Sequence, residues 1–297
     1  MALVGSTASG KSSVAMAVAA ELAGIELVSI DSMQVYRGMD IGTAKPSAAE
    51  REAVQHHCID LVDATDDFTV AQFKKAHRLA IDEIASRDGR ALLVGGTGLY
   101  HRVVVDDFDL PGEWPNVRAS LESREIADLY AQLVVIDEVA AAKIEPENRR
   151  RVVRALEVTL GSGRPFSSFG PGVDHYPDSG VAQIGLRWPR AAIADRIEAR
   201  VGQMMADGLI DEVRSLRTTG FSKTAAQALG YKETLMYLDG DISKDVAVEM
   251  IVTRTRQFAV RQERWFRRDP RVRWIDVEDD PVAEVAPVLI AHYRQLQ

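Results

Sequence analysis

An eight-residue glycine-rich segment near the start of the chain limits the possible folds more than any other part of the sequence. Residues 5–12 read Gly-Ser-Thr-Ala-Ser-Gly-Lys-Ser, a complete match to G-x-x-x-x-G-K-[ST]. The backbone N–H groups of such a loop surround an anion, and a helix begins at its end with the positive dipole end facing that anion. Leu3 and Val4 before the loop, and apolar residues at helical spacing after it, predict the flanking strand and helix. The segment therefore predicts a phosphate site but leaves open whose phosphates it holds.

Two further apolar runs end at residues that could carry chemistry. Residues 27–30 are followed by Asp31, and residues 91–94 are followed by a Gly-Gly-Thr-Gly turn that contains Thr97. Helical stripes lie between these runs, so strands and helices alternate, as is typical of a doubly wound parallel α/β sheet. Ligands of such sheets bind beyond the carboxyl ends of the strands. We therefore expect an α/β fold like that of P-loop NTPases, with the loop, Asp31 and Thr97 at one edge.

A Pro-Gly-Glu-Trp-Pro segment at residues 111–115 interrupts this alternation. From there to about residue 180 the pattern is mainly helical, and residues 181–186 then predict a strand that returns to the sheet. We therefore expect a P-loop core built from residues 1–112 and 181–297, whose C-terminal part is helical. Residues 113–180 are expected to form a helical insertion.

Charge is distributed unevenly along the chain. The net charge is −8, which by itself argues against nucleic acid, yet residues 254–273 contain eight arginines and only two acidic residues. Within this stretch Arg254, Arg261 and Arg268 are seven residues apart and share a face of one predicted helix. That face could be a solvated charged surface, but the scarcity of acidic residues favours contact with a polyanion.

Cysteine content and hydropathy indicate the compartment. The single cysteine, Cys58, cannot form an intrachain disulfide and favours a reducing environment. No apolar run approaches the roughly 20 residues that a membrane-spanning helix needs. We therefore expect a cytoplasmic protein that makes no contact with a membrane.

The role of Asp31 stays open when the residues alone are considered. In a kinase or ATPase it would hold Mg²⁺, and in a transferase it would act as a general base. It could also merely cap the end of a strand. The turn at residues 95–97 has two interpretations as well, an anion-binding nest with the Thr97 hydroxyl or a tight strand-to-helix connection.

Seven segments of the chain, in the same order, resemble the tRNA dimethylallyltransferase family, the bacterial type of tRNA isopentenyltransferase. They extend over almost the whole chain and lie at residues 5–12, 31–46, 56–60, 93–100, 151–157, 227–233 and 255–262. The most specific is Asp-Ser-Met-Gln-Val-Tyr-Arg-Gly-Met-Asp-Ile-Gly-Thr-Ala-Lys-Pro at residues 31–46.

The resemblance implies a reaction and a set of site residues. A dimethylallyl group would move from dimethylallyl diphosphate to the exocyclic amine of the adenosine 3′ of the tRNA anticodon, with release of diphosphate. Asp31 would accept the amine proton, Thr97 would bind at the same centre, and Ser12 would hold Mg²⁺. The diphosphate-binding residues would be Gly5, Ser6, Thr7, Ala8, Ser9, Gly10, Lys11, Ser12, Arg196 and Arg200. The tRNA-binding residues would be Asp31, Ser32, Met33, Gln34, Thr97, Arg118, Arg150, Arg151, Arg154, Gln227, Gly230, Tyr231, Lys232, Arg254 and Arg261.

The implied partners are the tRNA anticodon stem-loop, dimethylallyl diphosphate and Mg²⁺, and we expect the enzyme to be a monomer. Two other enzymes remain as alternatives, one that prenylates a free adenine nucleotide and a small-molecule kinase with a P-loop. The basic C-terminal helix favours RNA over a free nucleotide, and the sequence contains no clear arginine-rich lid of the kind expected in such a kinase. A non-catalytic RNA-binding module would leave the phosphate loop and Asp31 without a function.

Overall fold

The computed structural model describes residues 1–108, 110–170 and 172–295. The chain divides into two compact units, Met1–Val105 with Asp178–Gln297, and Asp106–Pro177 between them. The first unit contains a six-stranded parallel sheet with the strand order β3-β2-β4-β1-β5-β6. The strands are β1 (Ala2–Gly5), β2 (Ile25–Ser29), β3 (His56–His57), β4 (Arg90–Gly95), β5 (Gln183–Arg187) and β6 (Val272–Asp276).

Helices connect these strands and follow them. They are α1 (Lys11–Glu21), α2 (Ala48–Ala53), α3 (Val70–Ala85), α4 (Gly98–Val105), α5 (Pro115–Glu122), α6 (Ile126–Ile136), α7 (Glu138–Ala141), α8 (Arg149–Ser162), α9 (Arg190–Ala206), α10 (Leu209–Thr219), α11 (Tyr231–Leu238), α12 (Lys244–Phe266) and α13 (Pro281–Gln295). Among the described residues, no helix is both long and apolar enough to cross a lipid bilayer.

Both faces of the sheet are buried. Side chains alternate between the faces of a strand, so Val28 and Leu93 join one apolar cluster while Leu27 and Leu92 join the other. Burial on both sides explains why these strands read as continuous apolar runs. The expected doubly wound α/β fold is confirmed, and the carboxyl ends of β1, β2 and β4 lie side by side.

The long helix α12 follows the amphipathic pattern seen in the sequence. Its N-cap is Ser243, whose side chain accepts a hydrogen bond from the backbone N–H of Val246 at 3.3 Å. The buried positions recur every three or four residues from Ala247 to Phe266, and among them is the polar Gln262.

The second unit is helical and has its own small core. Helices α5 to α8 bury apolar side chains that include Leu121, Leu129 and Leu156. The buried carboxylate of Glu157 accepts a hydrogen bond from the backbone N–H of Trp114 at 2.8 Å. The unit starts at Asp106 and so includes Pro111. The carbonyl of Pro111 accepts a hydrogen bond from Arg154 on α8 at 2.9 Å.

Candidate active site

One cleft in the first unit collects residues that are far apart in the sequence. Its empty volume is about 870 Å³, part of it open to solvent. The polar lining comes from the phosphate loop (residues 5–12, between β1 and α1), from the end of β2, from the turn after β4 and from α9. It includes Lys11, Ser12, Asp31, Gly95, Gly96 and Arg200. The cleft lies where parallel strands end, as expected for a ligand site in this fold.

The backbone of the phosphate loop takes left-handed conformations at an alanine and at a glycine. Ala8 and Gly10 have positive φ values of 61° and 93°. Gly10 is the N-cap of α1 and has no room for a side chain, because a Cβ there would lie 2.6 Å from Pro281 Cγ. Gly10 therefore allows the cap of α1 to pack against the start of α13. Lys11 and Ser12, in the first turn of α1, line the cleft, where an anion would meet the positive end of the helix.

Lys11 folds back onto the loop. Its ammonium group donates hydrogen bonds to the carbonyls of Gly5 at 3.0 Å and Ser6 at 2.6 Å. Burial lowers the pKa of Lys11 to about 7; the charge of Arg200 also lowers it, and that of Asp31 raises it. Lys11 thus changes its charge near neutral pH, and a bound anion would favour the charged form.

The residues after β2 and β4 are joined by hydrogen bonds. Asp31 Oδ1 accepts from the backbone N–H of Met33 at 2.8 Å, a local turn that aims the carboxylate. Thr97 Oγ1 accepts from the backbone N–H of Ser32 at 3.1 Å. Across the cleft, burial lowers the pKa of Arg200, and the charge of Asp31 acts in the opposite direction. Asp31 and Thr97 therefore occupy fixed places beside the phosphate loop.

Residues 31–46 form an ordered loop around this centre. The Gln34 amide accepts from Ser29 Oγ at 2.8 Å and donates to the carbonyl of Ala44 at 3.2 Å. On the opposite side of the loop, the Glu212 carboxylate accepts hydrogen bonds from three successive backbone N–H groups, at 3.0, 2.7 and 3.2 Å. These groups belong to Asp40, Ile41 and Gly42. Glu212 was not predicted from the sequence, where it resembles any acidic residue near the start of a helix.

Arg196 contacts the phosphate loop through a backbone carbonyl. Its Nε donates to the carbonyl of Ala8 at 2.9 Å, and its guanidinium group lies 4.3 Å from the ring centroid of Trp188. The Trp188 indole in turn donates to the carbonyl of Ser9 at 2.9 Å. Trp188 was missed in the sequence, because a single aromatic residue after a strand gives no signal of its own.

The residues predicted to bind tRNA on α11 and α12 differ in their environment. Tyr231 is fully buried and its hydroxyl donates to Glu212, while Arg254 pairs with the buried Glu233. Lys232 donates to the side chain of Gln227 at 2.8 Å. Arg261, by contrast, is exposed and lies 5.8 Å from the ring centroid of Phe258. Gly230, at the start of α11, donates its N–H to Glu233 and has a φ of 89°.

The arginines predicted in the second unit are of two kinds as well. Arg118 and Arg154 pair with the buried Glu157 at 3.1 and 3.0 Å. Arg150 and Arg151, at the start of α8, are exposed.

Gln262 is a residue of the site that sequence reasoning missed. Its Oε1 accepts a hydrogen bond from the backbone N–H of Thr7 at 2.8 Å, and its Nε2 donates to the carbonyl of Gly96 at 2.9 Å. A polar side chain among apolar ones on the same face of α12 was the available signal. Such a residue, once buried, needs partners for both of its polar atoms.

Comparison with protein families and curated proteins gives a consistent result. The family model described as IPP transferase matches residues 34–269. A tRNA dimethylallyltransferase of Kineococcus radiotolerans is 46% identical over 98% of this chain and 97% of that protein. Another tRNA dimethylallyltransferase, of Thermobifida fusca, is 43% identical over 100% of this chain and 95% of its own length.

Solved structures of similar proteins share the fold along the whole chain. The tRNA isopentenylpyrophosphate transferase of Bacillus halodurans has 39% identity and a TM-score of 0.70, with 99% of this chain and 97% of that one covered. A eukaryotic dimethylallyltransferase acting on tRNA has 26% identity and a TM-score of 0.83, covering 99% of this chain and 78% of that one. From the match of the family model over residues 34–269 and the near full-length identity to curated members, we conclude that this chain belongs to the IPP transferase family.

Proposed function

We propose that this protein transfers a dimethylallyl group from dimethylallyl diphosphate to the exocyclic amine of the adenosine 3′ of a tRNA anticodon. The observation that carries the proposal is the cleft in which a phosphate loop faces Asp31 and the turn after β4. The names of the curated relatives and of the solved structures support the same reaction and the same substrate class.

The phosphate loop would bind the diphosphate group of the prenyl donor. The diphosphate would lie against N–H groups of the phosphate loop at the N-terminal end of α1, with Lys11 and Arg200 as its cationic partners. The N–H of Thr7 is not among them, because it donates to Gln262. As the allylic C–O bond breaks, negative charge develops on the leaving diphosphate, and these groups stabilise it where it forms. They do so without recognising a nucleotide base, which fits a loop that holds a prenyl diphosphate.

The oxygen atoms available beside the phosphate loop also fit the ligand preference of Mg²⁺. This ion is commonly held by one or two protein oxygens together with substrate phosphates, and the exposed hydroxyl of Ser12 lines the same cleft as Lys11. Ser12 would hold the ion, which would neutralise part of the charge of the diphosphate.

Asp31 would act as the base for the amine that accepts the dimethylallyl group. The amine of adenine is a weak nucleophile because its lone pair is delocalised into the ring, so a positioned base helps by a factor of about 10²–10⁴. The amine nitrogen forms a bond to the allylic carbon, the C–O bond breaks, and the amine proton passes to the Asp31 carboxylate. Thr97 would hydrogen-bond at the same centre, and Ser32, Met33 and Gln34 would line the pocket of a base turned out of its stack.

Binding of the rest of the tRNA would rely on exposed arginines. Arg150 and Arg151 on α8 and Arg261 on α12 are exposed, so their guanidinium groups can reach phosphates of the RNA backbone. Arg118, Arg154 and Arg254 already pair with buried carboxylates, so each would support RNA binding only indirectly, within its own unit. The insertion proposed at residues 113–180 would thereby contribute to tRNA binding.

The test is incubation of the protein with labelled dimethylallyl diphosphate, Mg²⁺ and tRNA that lacks the modification, followed by nucleoside analysis. We expect label in one adenosine next to the anticodon and an equal release of diphosphate. Parallel reactions with free AMP, and with ATP in place of the prenyl donor, distinguish other activities. Prenylated AMP without prenylated tRNA, or phosphate transfer from ATP alone, would contradict the proposal.

A further inference from the structure

We infer that Gln262 is a positioning residue. It fixes the position of the phosphate loop relative to the loop that carries Asp31. This inference rests on the proposed function, because it concerns how donor and acceptor are aligned for transfer. Helix α12 would thus align the two loops through Gln262, a role different from the RNA contact proposed for its exposed Arg261.

The hydrogen bonds of Gln262 bridge two loops of the cleft. Its amide oxygen accepts the N–H of Thr7 at 2.8 Å, and its amide nitrogen donates to the carbonyl of Gly96 at 2.9 Å. A backbone N–H can only donate and a carbonyl can only accept, so the bridging side chain must offer one acceptor and one donor. A glutamine amide does this without charge, and its burial makes the loss of either bond costly.

Close packing shows that α12 lies directly on the turn after β4. A Cβ on Gly96 would stand 2.2 Å from Gln262 Nε2, and a Cβ on Gly98 would stand 2.2 Å from the Trp265 indole. Two glycines thus allow one face of α12 to touch the backbone of this turn. Because α12 is a continuous helix of 23 residues, it forms a firm support for Gln262.

Hydrogen bonds continue from this turn to the proposed base. Thr97, next to Gly96, accepts the N–H of Ser32 at 3.1 Å, and Asp31 accepts the N–H of Met33 at 2.8 Å. Gln262 is therefore connected to the phosphate loop on one side and, through Thr97, to the Asp31 loop on the other. A misplacement of about 1 Å between reacting groups can cost about 10²-fold in rate. The bridge would then act on kcat more than on substrate affinity.

The test compares Gln262→Met with wild type in prenyl transfer to tRNA, with kcat taken from steady-state rates and the Kd values from separate binding titrations. Methionine keeps the length of the side chain and loses both hydrogen bonds. We expect kcat to fall about 10- to 100-fold, with the Kd values for dimethylallyl diphosphate and for tRNA within about threefold of wild type. The matched control is Gln203→Met on α9, an exposed glutamine whose loss should leave kcat unchanged. A kcat for Gln262→Met within twofold of wild type would overturn the inference.

A double-mutant cycle with Asp31→Asn separates positioning from general loss of structure. If Gln262 acts by aligning Asp31 with the donor, its replacement should cost much less in the Asp31→Asn background than in wild type. Equal costs in the two backgrounds would contradict the inference. Should Gln262→Met fold poorly, Gln262→Glu serves instead, because it keeps the acceptor for Thr7 and loses the donor to Gly96. Absence of prenyl transfer by the wild type would instead refute the proposed function.

Discussion

Lys11 and Asp31 carry the opposite charges on which the proposed transfer depends. In the ligand-free protein Lys11 loses its charge near neutral pH, because burial lowers its pKa to about 7. The ammonium group is held by loop carbonyls in this state, and the same group is available to a diphosphate. Donor binding and protonation of Lys11 are therefore expected to be linked.

The linkage gives donor binding a defined dependence on pH. Below pH 7 Lys11 is already charged and binding takes up no proton, whereas above pH 7 a proton must be bound together with the donor. Apparent donor affinity should thus fall by up to about tenfold per pH unit above 7. Calorimetric titrations at pH 8 in two buffers of different ionisation enthalpy should show net proton uptake, which Lys11→Ala should abolish. Equal binding enthalpies in both buffers for wild type would contradict this assignment.

Replacement of Asp31 separates chemistry from binding. Asp31→Asn keeps the size of the side chain and an oxygen that can accept from Met33, but removes the base. We expect the rate of transfer to fall about 10²- to 10⁴-fold, while the Kd for tRNA stays within a few-fold of wild type. Rapid-quench assays and filter binding measure the two quantities. Unchanged turnover would remove Asp31 as the proton acceptor.

Helix α8 shows how one element can present arginines for two purposes. Arg150 and Arg151 point from its first turn to solvent, whereas Arg154, one turn later, pairs with the buried Glu157 at 3.0 Å. Helix α12 repeats the division, with Arg261 exposed and Arg254 paired with Glu233. A cluster of arginines in the sequence therefore contains both candidate RNA contacts and internal supports.

The pair Arg151→Ala and Arg154→Ala tests this division within α8. Arg151→Ala should weaken tRNA binding and reduce the slope of log K against log salt by about 1, with no change in Tm. Arg154→Ala should lower the free energy of unfolding by about 1–3 kcal/mol, because Glu157 loses a partner while Arg118 retains its own contact. Thermal melts and salt titrations check both variants. The opposite assignment of the two effects would show that the division is wrong.

Across the whole molecule, an acidic net charge coexists with a local surplus of arginine. The chain carries −8, yet eight arginines and two acidic residues fall within residues 254–273. Long-range repulsion from the acidic remainder is screened within about 8 Å at physiological salt. Local arginine contacts can therefore govern RNA binding despite the sign of the net charge.

This distribution predicts a steep salt dependence for tRNA and a sequence-independent contribution to affinity. With phosphate contacts from Arg150, Arg151 and Arg261, the Kd for tRNA should rise about 20- to 40-fold between 50 and 200 mM monovalent salt. An unrelated stem-loop of equal length should show a similar slope at weaker affinity. Filter binding over this range provides the measurement. A Kd that is independent of salt would show that the exposed arginines do not contact phosphates.

The fold could be predicted because its main elements leave short signals in the sequence, either a run of consecutive residues or a periodic apolar pattern. The phosphate loop depends on eight consecutive residues, and β2 and β4 appear as apolar runs that end just before Asp31 and before the turn that contains Thr97. The general rule that parallel strands end at one edge then brings Asp31 and Thr97 to the loop. Gln262 and Glu212 escaped prediction, because nothing in their neighbourhood in the sequence identifies their partners.

The sequence by itself determined the strand–loop–helix unit around residues 5–12 and the parallel α/β alternation. Tertiary structure alone decided which arginines face solvent and which neutralise a buried carboxylate. It also decided that Gln262 bridges Thr7, 255 positions away, and Gly96, 166 positions away. The physical reason is that periodicity specifies which face of an element is buried, whereas hydrogen-bond partners depend on which elements that face meets.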